Sequence, residues 1–280
     1  MMRKHLSARA TVLALVGASL LSMSGAPAFA AGILPPGNPS ATITPSPNFD
    51  YSGLCTGSGA AFKCPNPCWN GRSVVYRNTA ACNAFVERAI NRARSTEGLA
   101  PVTLPTNWYS LTVPEQLFVL ADLERTARGL PPYLGLSRVL SNSAQRGAQA
   151  LSDPNVATGF ATSPSSGFGS TLATGTSTTL EADYGWMYDD GWGGSPKLTW
   201  NYDCTSATAV GCWGHRDELL GSDGAYNSGV GLDCTNCEMG AGFAVVRGTT
   251  SFADLVERPS AQAPGMFFTW AKNVVPFLGG

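Results

Sequence analysis

Two short segments concentrate the side chains that could do chemistry. Residues 181–190 hold four carboxylates and three aromatic side chains, and residues 212–218 place a histidine beside a tryptophan and three charges. A carboxylate against an imidazole is typical of acid–base sites and also of structural ion pairs. We therefore predict a cleft in which the histidine meets an acid from the first segment. The candidate cleft residues are His215, Asp189, Asp190, Glu181, Tyr184, Tyr188 and Trp213.

Most catalytic templates are absent from the sequence. It contains no G-x-S-x-G, no H-E-x-x-H and no phosphate-binding loop, and His215 is the only histidine after residue 30. Two carboxylates beside a groove could still hydrolyse a polysaccharide. In a purely structural alternative, Trp186 and Met187 are core residues of a helix that ends in solvated acids. We expect no catalytic residue of a known template, and no cofactor.

A metal site is not expected either. Protein zinc sites use three or four nitrogen or sulfur ligands, whereas one histidine among carboxylates supplies a single nitrogen. Calcium and magnesium prefer oxygen ligands over imidazole. If a metal did bind, His215 and Asp189 are the residues that would hold it.

The first 30 residues have the pattern of a secretory signal peptide. Arg3, Lys4 and Arg9 precede an apolar run, and Ala28-Phe29-Ala30 offers small residues for cleavage. We predict a secreted, extracellular protein that begins at Ala31 and retains no stable membrane anchor. The signal segment contains three of the 18 Lys and Arg and none of the 19 Asp and Glu, so the mature charge is −4. This charge gives no support for nucleic-acid binding.

All eight cysteines follow the signal segment, which predicts disulfides in an oxidising compartment. We expect Cys204 to pair with Cys212, and Cys234 to pair within the C-terminal half of the chain. One alternative is zinc held by two cysteine pairs, which an oxidising compartment disfavours because it removes the thiolates. Another is a redox pair at Cys234 and Cys237, which the lack of a following helix disfavours. The disulfide cysteines are Cys55, Cys64, Cys68, Cys82, Cys204, Cys212, Cys234 and Cys237.

The chain divides into four predicted parts. These are the signal peptide at 1–30, a Pro/Ser/Thr-rich linker at 31–50, a Cys-rich appendage at 51–82 and a globular domain at 83–280.

Several helices can be predicted from capping and periodicity. Thr112 and Glu115 form a capping box, and Gly129 before Pro131 ends the helix that follows. Apolar spacing predicts a helix from Phe85 that stops at Gly98. Further helices are predicted at 137–151, 179–188 and 213–220, and strands at 229–233, 241–247 and 266–270, with one more short strand between 157 and 178. Helices followed by strands favour an α+β domain over a parallel doubly wound sheet.

Scattered motifs resemble the bacterial members of a secreted family. Glu124-Arg125 followed by Gly-Leu-Pro-Pro132, and Trp186-Met187 followed by Gly214-His215-Arg216, are similar to motifs of the superfamily of cysteine-rich secretory proteins, antigen 5 and pathogenesis-related 1 proteins (CAP superfamily). Gly229-Val-Gly231 and residues 243–246 resemble its closing strands. The resemblance covers roughly residues 84–250. It implies an SCP-like extracellular domain with a three-layer α-β-α sandwich and a central cleft.

The same resemblance bears on function. Many relatives hold two histidines and two glutamates around the cleft, where they can bind a divalent metal. Here His215 matches one histidine, Asp189 stands in place of one glutamate, Ser170 replaces the other, and the second histidine has no counterpart. The resemblance therefore implies a non-catalytic module for an extracellular ligand, which could be a lipid, a glycan or a protein. The alternative is a secreted hydrolase that acts on cell-envelope polysaccharide through paired carboxylates.

Overall fold

The protein is an α+β domain, as the order of predicted elements indicated. The computed structural model describes residues 67–68, 76–157, 160, 168–192, 201–209, 211–221, 234, 236–259 and 265–279. The predicted signal peptide, the linker, most of the appendage with Cys55 and Cys64, and the predicted strand at 229–233 lie outside the described residues.

The described residues form five α-helices and five strands. The helices are α1 (Ala80–Thr96), α2 (Val113–Ala127), α3 (Arg138–Ala150), α4 (Thr179–Tyr188) and α5 (Gly214–Leu220). The strands are β1 (Leu136–Ser137), β2 (Phe168–Thr174), β3 (Glu238–Val246), β4 (Thr249–Glu257) and β5 (Met266–Phe268). Short helical turns follow at Trp108–Ser110, Trp270–Val274 and Val275–Phe277. None of the described helices is long and apolar enough to cross a membrane.

The helix ends follow the capping chemistry in the sequence. The Glu115 carboxylate accepts hydrogen bonds from the Thr112 backbone N–H (2.7 Å) and hydroxyl (2.8 Å) at the start of α2. Gly129 has a φ of 75°, which lets the chain turn out of α2 in the left-handed conformation that favours glycine. In α1, the Thr79 hydroxyl accepts from the Cys82 N–H at 3.3 Å. The caps of α2 confirm its predicted start and end, whereas α1 begins at Ala80, ahead of the predicted start at Phe85.

The strands form one sheet in the order β2-β4-β3-β1-β5. β4 pairs antiparallel with both β2 and β3, while β1 runs parallel to β3. β4 is not among the strands predicted from sequence, although it lies at the centre of the longest pairings. The sheet thus has β2 at one edge and β5 at the other.

Helices pack on the sheet through two separate hydrophobic clusters. Leu140 and Ala144 of α3 pack with Leu255 of β4 in the smaller cluster. A Cβ added at Gly240 or Gly242 would lie 2.1–2.4 Å from the backbone of α3, so the helix rests directly on β3. The larger cluster contains core side chains of α1, α2 and α4 together with apolar residues of β3 and β4.

The described cysteines are disulfide-bonded. Cys204 is bonded to Cys212, and Cys234 to Cys237, which confirms both predicted pairings. The third bond joins Cys68 to Cys82 of α1, and so attaches the predicted appendage to the first helix. The disfavoured alternative of zinc held by Cys64 and Cys68 with Cys234 and Cys237 is therefore wrong, since Cys68, Cys234 and Cys237 are disulfide-bonded and not free thiolates.

Candidate functional site

The chain brings one acid and the single described histidine into contact. The Asp190 Oδ1 and His215 Nδ1 atoms lie 2.6 Å apart. The Asp190 side chain is buried, whereas 24% of the His215 side chain remains exposed. None of the described residues bonds the other ring nitrogen, Nε2. Asp190 thus fixes Nδ1 of the ring, while part of the His215 side chain remains exposed at the surface.

The ends of two helices position this pair. α4 ends at Tyr188, and the chain then turns so that the carbonyl of Asp190 accepts from the Trp213 N–H at 3.0 Å. Trp213 precedes α5 with a φ of 67°, and the Arg216 N–H of that helix donates to Asp190 Oδ2 at 3.1 Å. Both carboxylate oxygens of Asp190 are therefore engaged by α5.

Asn201 completes the support of Asp190. Its side-chain amide donates to Asp190 Oδ1 at 2.7 Å, to the Asp190 carbonyl at 3.1 Å and to the Gly211 carbonyl at 2.7 Å. Its own oxygen accepts from the Asp203 N–H at 2.9 Å. The Cys204–Cys212 disulfide closes the loop that follows Asn201 and Asp203 and contains Gly211. A saturated set of hydrogen bonds of this kind holds a carboxylate in one orientation.

Surrounding acids keep the histidine charged. Burial opposes its charge, but the charge of the Asp190 carboxylate and its hydrogen bond to the ring raise the pKa of His215 from 6.5 to about 9. At neutral pH the ring is then an imidazolium that donates from both nitrogens. A group in this state can bind an acceptor oxygen of a ligand, but it cannot take a proton from a substrate.

Two further carboxyls near His215 hold their protons more tightly than usual. Burial raises the pKa of Glu218 to about 8, although His215 and a hydrogen bond from the Ser170 backbone N–H act to lower it. Burial also raises the pKa of Asp153, and His215 opposes that shift. Glu218 is therefore a neutral acid near pH 7.

A cavity of about 450 Å³ opens beside the pair. Its walls come from four parts of the chain: residues 172–175 at the end of β2, two residues of α4, the segment 201–203, and Asp153 after α3. Asp190 and His215 line it together with Trp186. The volume lies within the usual range for small-ligand pockets.

Three candidate residues contribute to the core and not to the cavity. Glu181 accepts a hydrogen bond from the Ser177 N–H in the first turn of α4, where a carboxylate suits the helix N-terminus. The Tyr184 and Tyr188 rings pack against each other with centroids 5.8 Å apart. The Tyr188 hydroxyl donates to Glu124 at 2.6 Å. All three side chains are buried, and none of them lines the cavity.

The remaining candidates stand next to the pair without lining the cavity. Asp189 is the buried C-cap residue of α4, and the carboxylate that contacts His215 is that of Asp190. The acid of residues 181–190 that meets His215 is thus Asp190, and neither Asp189 nor Glu181 holds the ring. Trp213 is also buried and packs over Gly191, where an added Cβ would meet the indole at 2.1 Å. The described residues contain no cluster of three metal-ligating side chains.

A buried ion network lies behind the site. Arg216 and Arg128 both bind the Glu97 carboxylate at 2.8 Å. Arg128 also pairs with Glu124, which binds Arg94 at 2.8 Å. The network links α1, α2 and α5, and Tyr188 joins α4 to it through Glu124. Buried charges need such partners, because each one alone would be costly to desolvate.

Several site residues were not found from the sequence. Asn201, Tyr202 and Asp203 precede Cys204, and their proximity to a predicted disulfide loop was the one available signal. Asp153 and residues 172–175 carried no signal, because they reach the cleft through the packing of α3 and β2.

Fold and site together define a disulfide-bonded α+β domain with a cleft built around a carboxylate–histidine pair. No family model and no curated protein matches the chain. Among solved structures, it is similar to venom allergen-like protein 4 of Schistosoma mansoni, a member of the CAP superfamily, with 13% identity and a TM-score of 0.32. The alignment covers 57% of this chain and 96% of that one. At this TM-score the likeness carries no argument about the fold or the ligand.

Proposed function

We propose that this chain is a secreted CAP-like domain, built as a three-layer α-β-α sandwich, that binds an extracellular ligand in the cleft at His215 without catalysing a reaction. The observation that supports this most strongly is the 2.6 Å contact between His215 Nδ1 and Asp190 Oδ1 at the cavity wall. Secretion is supported by the signal pattern and by the disulfides.

The charge of His215 favours binding over catalysis. A general base must be unprotonated near the working pH, but the surrounding acids hold the pKa of His215 at about 9. The imidazolium is compensated by Asp190 and offers its Nε2–H to the cavity. A carbonyl, hydroxyl or carboxylate oxygen of a ligand is the natural acceptor for this donor.

The ring of His215 can report on binding directly. We would follow its Hε1 resonance by NMR while adding three probes that represent the possible ligand classes: oleate for a lipid, chitotetraose for a glycan, and a lysine-containing heptapeptide for a protein. We expect one probe to shift this resonance in a saturable manner. Calorimetry, which does not depend on the imidazole, should show that this probe binds at least about tenfold more weakly to His215→Gln, the cost of about 1.4 kcal/mol for a lost charged hydrogen bond. If none of the three shifts the resonance, the proposal fails.

Secretion has its own test. Intact-mass analysis of the exported protein should show Ala31 as the first residue. A product that retains residues 1–30 in the membrane would contradict the proposed extracellular role.

A hydrolase is the second candidate, and Glu218 is the observation that favours it. Because burial raises the pKa of Glu218 to about 8, this residue keeps a proton that a glycosidase could donate to a leaving group. Asp153 would then be the second carboxylate. Release of reducing ends from purified cell-envelope glycan tests this directly. Variants His215→Gln and Glu218→Gln that melt like the parent yet lose such release would establish the hydrolase, and no release by the parent protein would exclude it.

A further inference from the structure

The open edge of the sheet runs into the cleft. β2 is the edge strand, with β4 on its inner side and no strand of the described residues on its outer side. The end of this strand, from Leu172 to Gly175, forms part of the cavity wall beside Trp186 and His215. The cavity is therefore lined by backbone groups as well as by side chains.

Hydrogen bonds at the centre of the sheet reveal which backbone groups of β2 point outward. The Met239 N–H donates to the Gly135 carbonyl at 3.0 Å, away from β4, so the next residue, Gly240, directs its N–H and C=O toward β4. Gly240 pairs with Leu255, so the backbone N–H and C=O of Leu255 point toward β3 and away from β2. Ser170 is opposite Leu255 on β2, so its own N–H and C=O point to the open edge.

Two other hydrogen bonds agree with this assignment. The Ser170 N–H donates to the Glu218 carboxyl group, which belongs to α5 and lies outside the sheet. The Gly175 N–H donates inward to the Thr250 carbonyl of β4, at 2.9 Å. Even-numbered residues of β2 thus face outward and odd-numbered residues face β4.

Leu172 and Thr174 are therefore the residues that present N–H and C=O groups to the cleft. Both line the cavity, and no backbone hydrogen bond from a described residue reaches their outward groups. Exposed edge groups of this kind pair readily with an extended chain, because each main-chain amide supplies one donor and one acceptor at the spacing of a strand.

The charges around this edge favour a basic partner. Asp190 is compensated by His215, but Asp153 and Asp203 form no ion pair with any described lysine or arginine. Both are exposed at the cavity wall. A lysine or arginine side chain of a bound segment would neutralise these two carboxylates.

We propose that the cleft binds an extended peptide segment, which adds to the open edge of β2 at Leu172 and Thr174 and places a lysine or arginine side chain against Asp153 and Asp203. This inference rests on the proposed binding function and names its ligand class. Main-chain pairing supplies affinity, while the two carboxylates select the basic side chain.

Calorimetry with a defined peptide tests the main-chain pairing. The probe is the acetylated and amidated peptide Thr-Val-Thr-Lys-Thr-Val-Thr, titrated into the full mature protein. We expect saturable binding. Two further versions of the peptide are N-methylated at the odd or at the even positions. Because alternate amides of an extended chain point to opposite edges, only one version loses the N–H groups that face β2, and that version should bind at least about tenfold more weakly. Replacing the lysine by glutamate should weaken binding by a similar factor. Equal binding of both N-methylated versions and the parent peptide would overturn the proposal.

A matched pair of proline variants tests the position. Leu172→Pro removes an outward N–H inside the cleft, whereas Phe168→Pro removes one at the first residue of the same edge, outside the cleft. Proline is tolerated at outward positions of edge strands, so both should fold. We expect peptide binding to be lost in Leu172→Pro and kept in Phe168→Pro. Equal affinities for both variants would contradict the assignment, and the N-methylated peptides decide the matter if Leu172→Pro does not fold.

Hydrogen exchange separates this inference from the function on which it rests. The Leu172 and Thr174 amides should exchange rapidly in the free protein and become protected when the peptide binds. Protection already present in the free protein would mean that another segment of this chain covers the edge, and the inference would fail. If oleate or chitotetraose shifts His215 and no peptide binds, the binding function stands and the peptide inference falls. If no probe binds, both fall.

Discussion

Arg216 of α5 and Glu97 at the end of α1 form a two-point ion pair, in which Nη1–Oε1 and Nη2–Oε2 are both 2.8 Å. Arg216 is fully buried, and its Nη1 also donates to the Met187 carbonyl at 2.8 Å. Since Arg216 directly follows His215, this pair fixes the helix that carries the cleft histidine. It also joins the site to the end of α1.

Removing the carboxylate at Glu97 should be costly. Glu97→Gln would leave Arg216 and Arg128 as buried cations without their shared partner, and we expect the free energy of unfolding to fall by about 3–5 kcal/mol. The matched control is Glu87→Gln, the same change on the same helix at a residue outside the network, for which we expect a change within about 0.5 kcal/mol. Urea unfolding of both variants measures the difference. Equal effects would show that the network contributes little.

Stability should decrease as the pH rises from 6.5 to 9. The pKa of His215 is raised from 6.5 to about 9, so its stabilising effect is complete below pH 6.5 and is lost as the pH passes 9. The raised pKa of Glu218, about 8 in place of 4.5, acts in the same direction between those two values, because the unfolded chain releases this proton first. Urea unfolding at pH 6, 7.5 and 9 checks the trend.

The variant His215→Gln serves as the control for this pH dependence. It removes the titrating imidazole, so its unfolding free energy should fall less steeply above pH 6.5 than that of the parent. A parent whose stability rises over this interval would show that His215 is not held as an imidazolium.

The contact between α3 and β3 leaves no room for a side chain at Gly240. A Cβ there would lie 2.1 Å from the Leu140 carbonyl carbon and 2.4 Å from the Ser141 nitrogen, which are backbone atoms that cannot rotate away. We expect Gly240→Ala to destabilise the protein by about 3 kcal/mol, the upper end of the usual range for overpacking. Gly279→Ala is the control, since nothing lies within 4 Å of its added Cβ. Indistinguishable melting of the two variants would refute the close contact.

The Cys204–Cys212 disulfide should stabilise both the domain and the site. Replacing both cysteines by serine opens a loop with a sequence separation of 8, for which the chain-entropy model gives about 2–3 kcal/mol. Asn201 precedes this loop and supports Asp190, so the pKa of His215 should also move down toward 6.5. NMR titration of His215 measures this second effect. An unchanged titration with lowered stability would mean that the loop does not help to hold the pair.

The helices were predictable from sequence because their ends carry local chemistry. Thr112 with Glu115 encodes the start of α2 and Gly129 its end, each within a few residues of the helix terminus. β4 was missed because a buried central strand is expected to be apolar, and this one includes Asp254 and Glu257. The Asp254 carboxyl oxygens have no hydrogen-bond partner among the described residues, and burial raises its pKa well above the usual value. A neutral carboxylic acid in a core strand gives no hydrophobic pattern to recognise.

The site was only partly predictable. The sequence pointed to His215 and to the acids of residues 181–190. The choice of Asp190 over Asp189 depends on how the chain turns after Tyr188. That turn is set by a hydrogen bond from the Trp213 N–H to the Asp190 carbonyl, and Trp213 is 23 residues after Asp190 in the chain. The β2 edge and Asp153 depend on tertiary packing alone, so no local pattern could reveal them.

The direct packing of α3 on Gly240 and Gly242 also constrains the part of the cleft that Asp153 forms. Asp153 follows α3 closely in sequence. The backbone of α3 contacts the backbone of β3 directly, so the distance between helix and sheet does not depend on the size of a side chain. Substitutions in the core therefore cannot widen the cleft from that side. A broader or narrower cleft would need changes elsewhere in its lining, for example around Asn201 and Asp203, and substitutions meant to change the size of the bound ligand belong there.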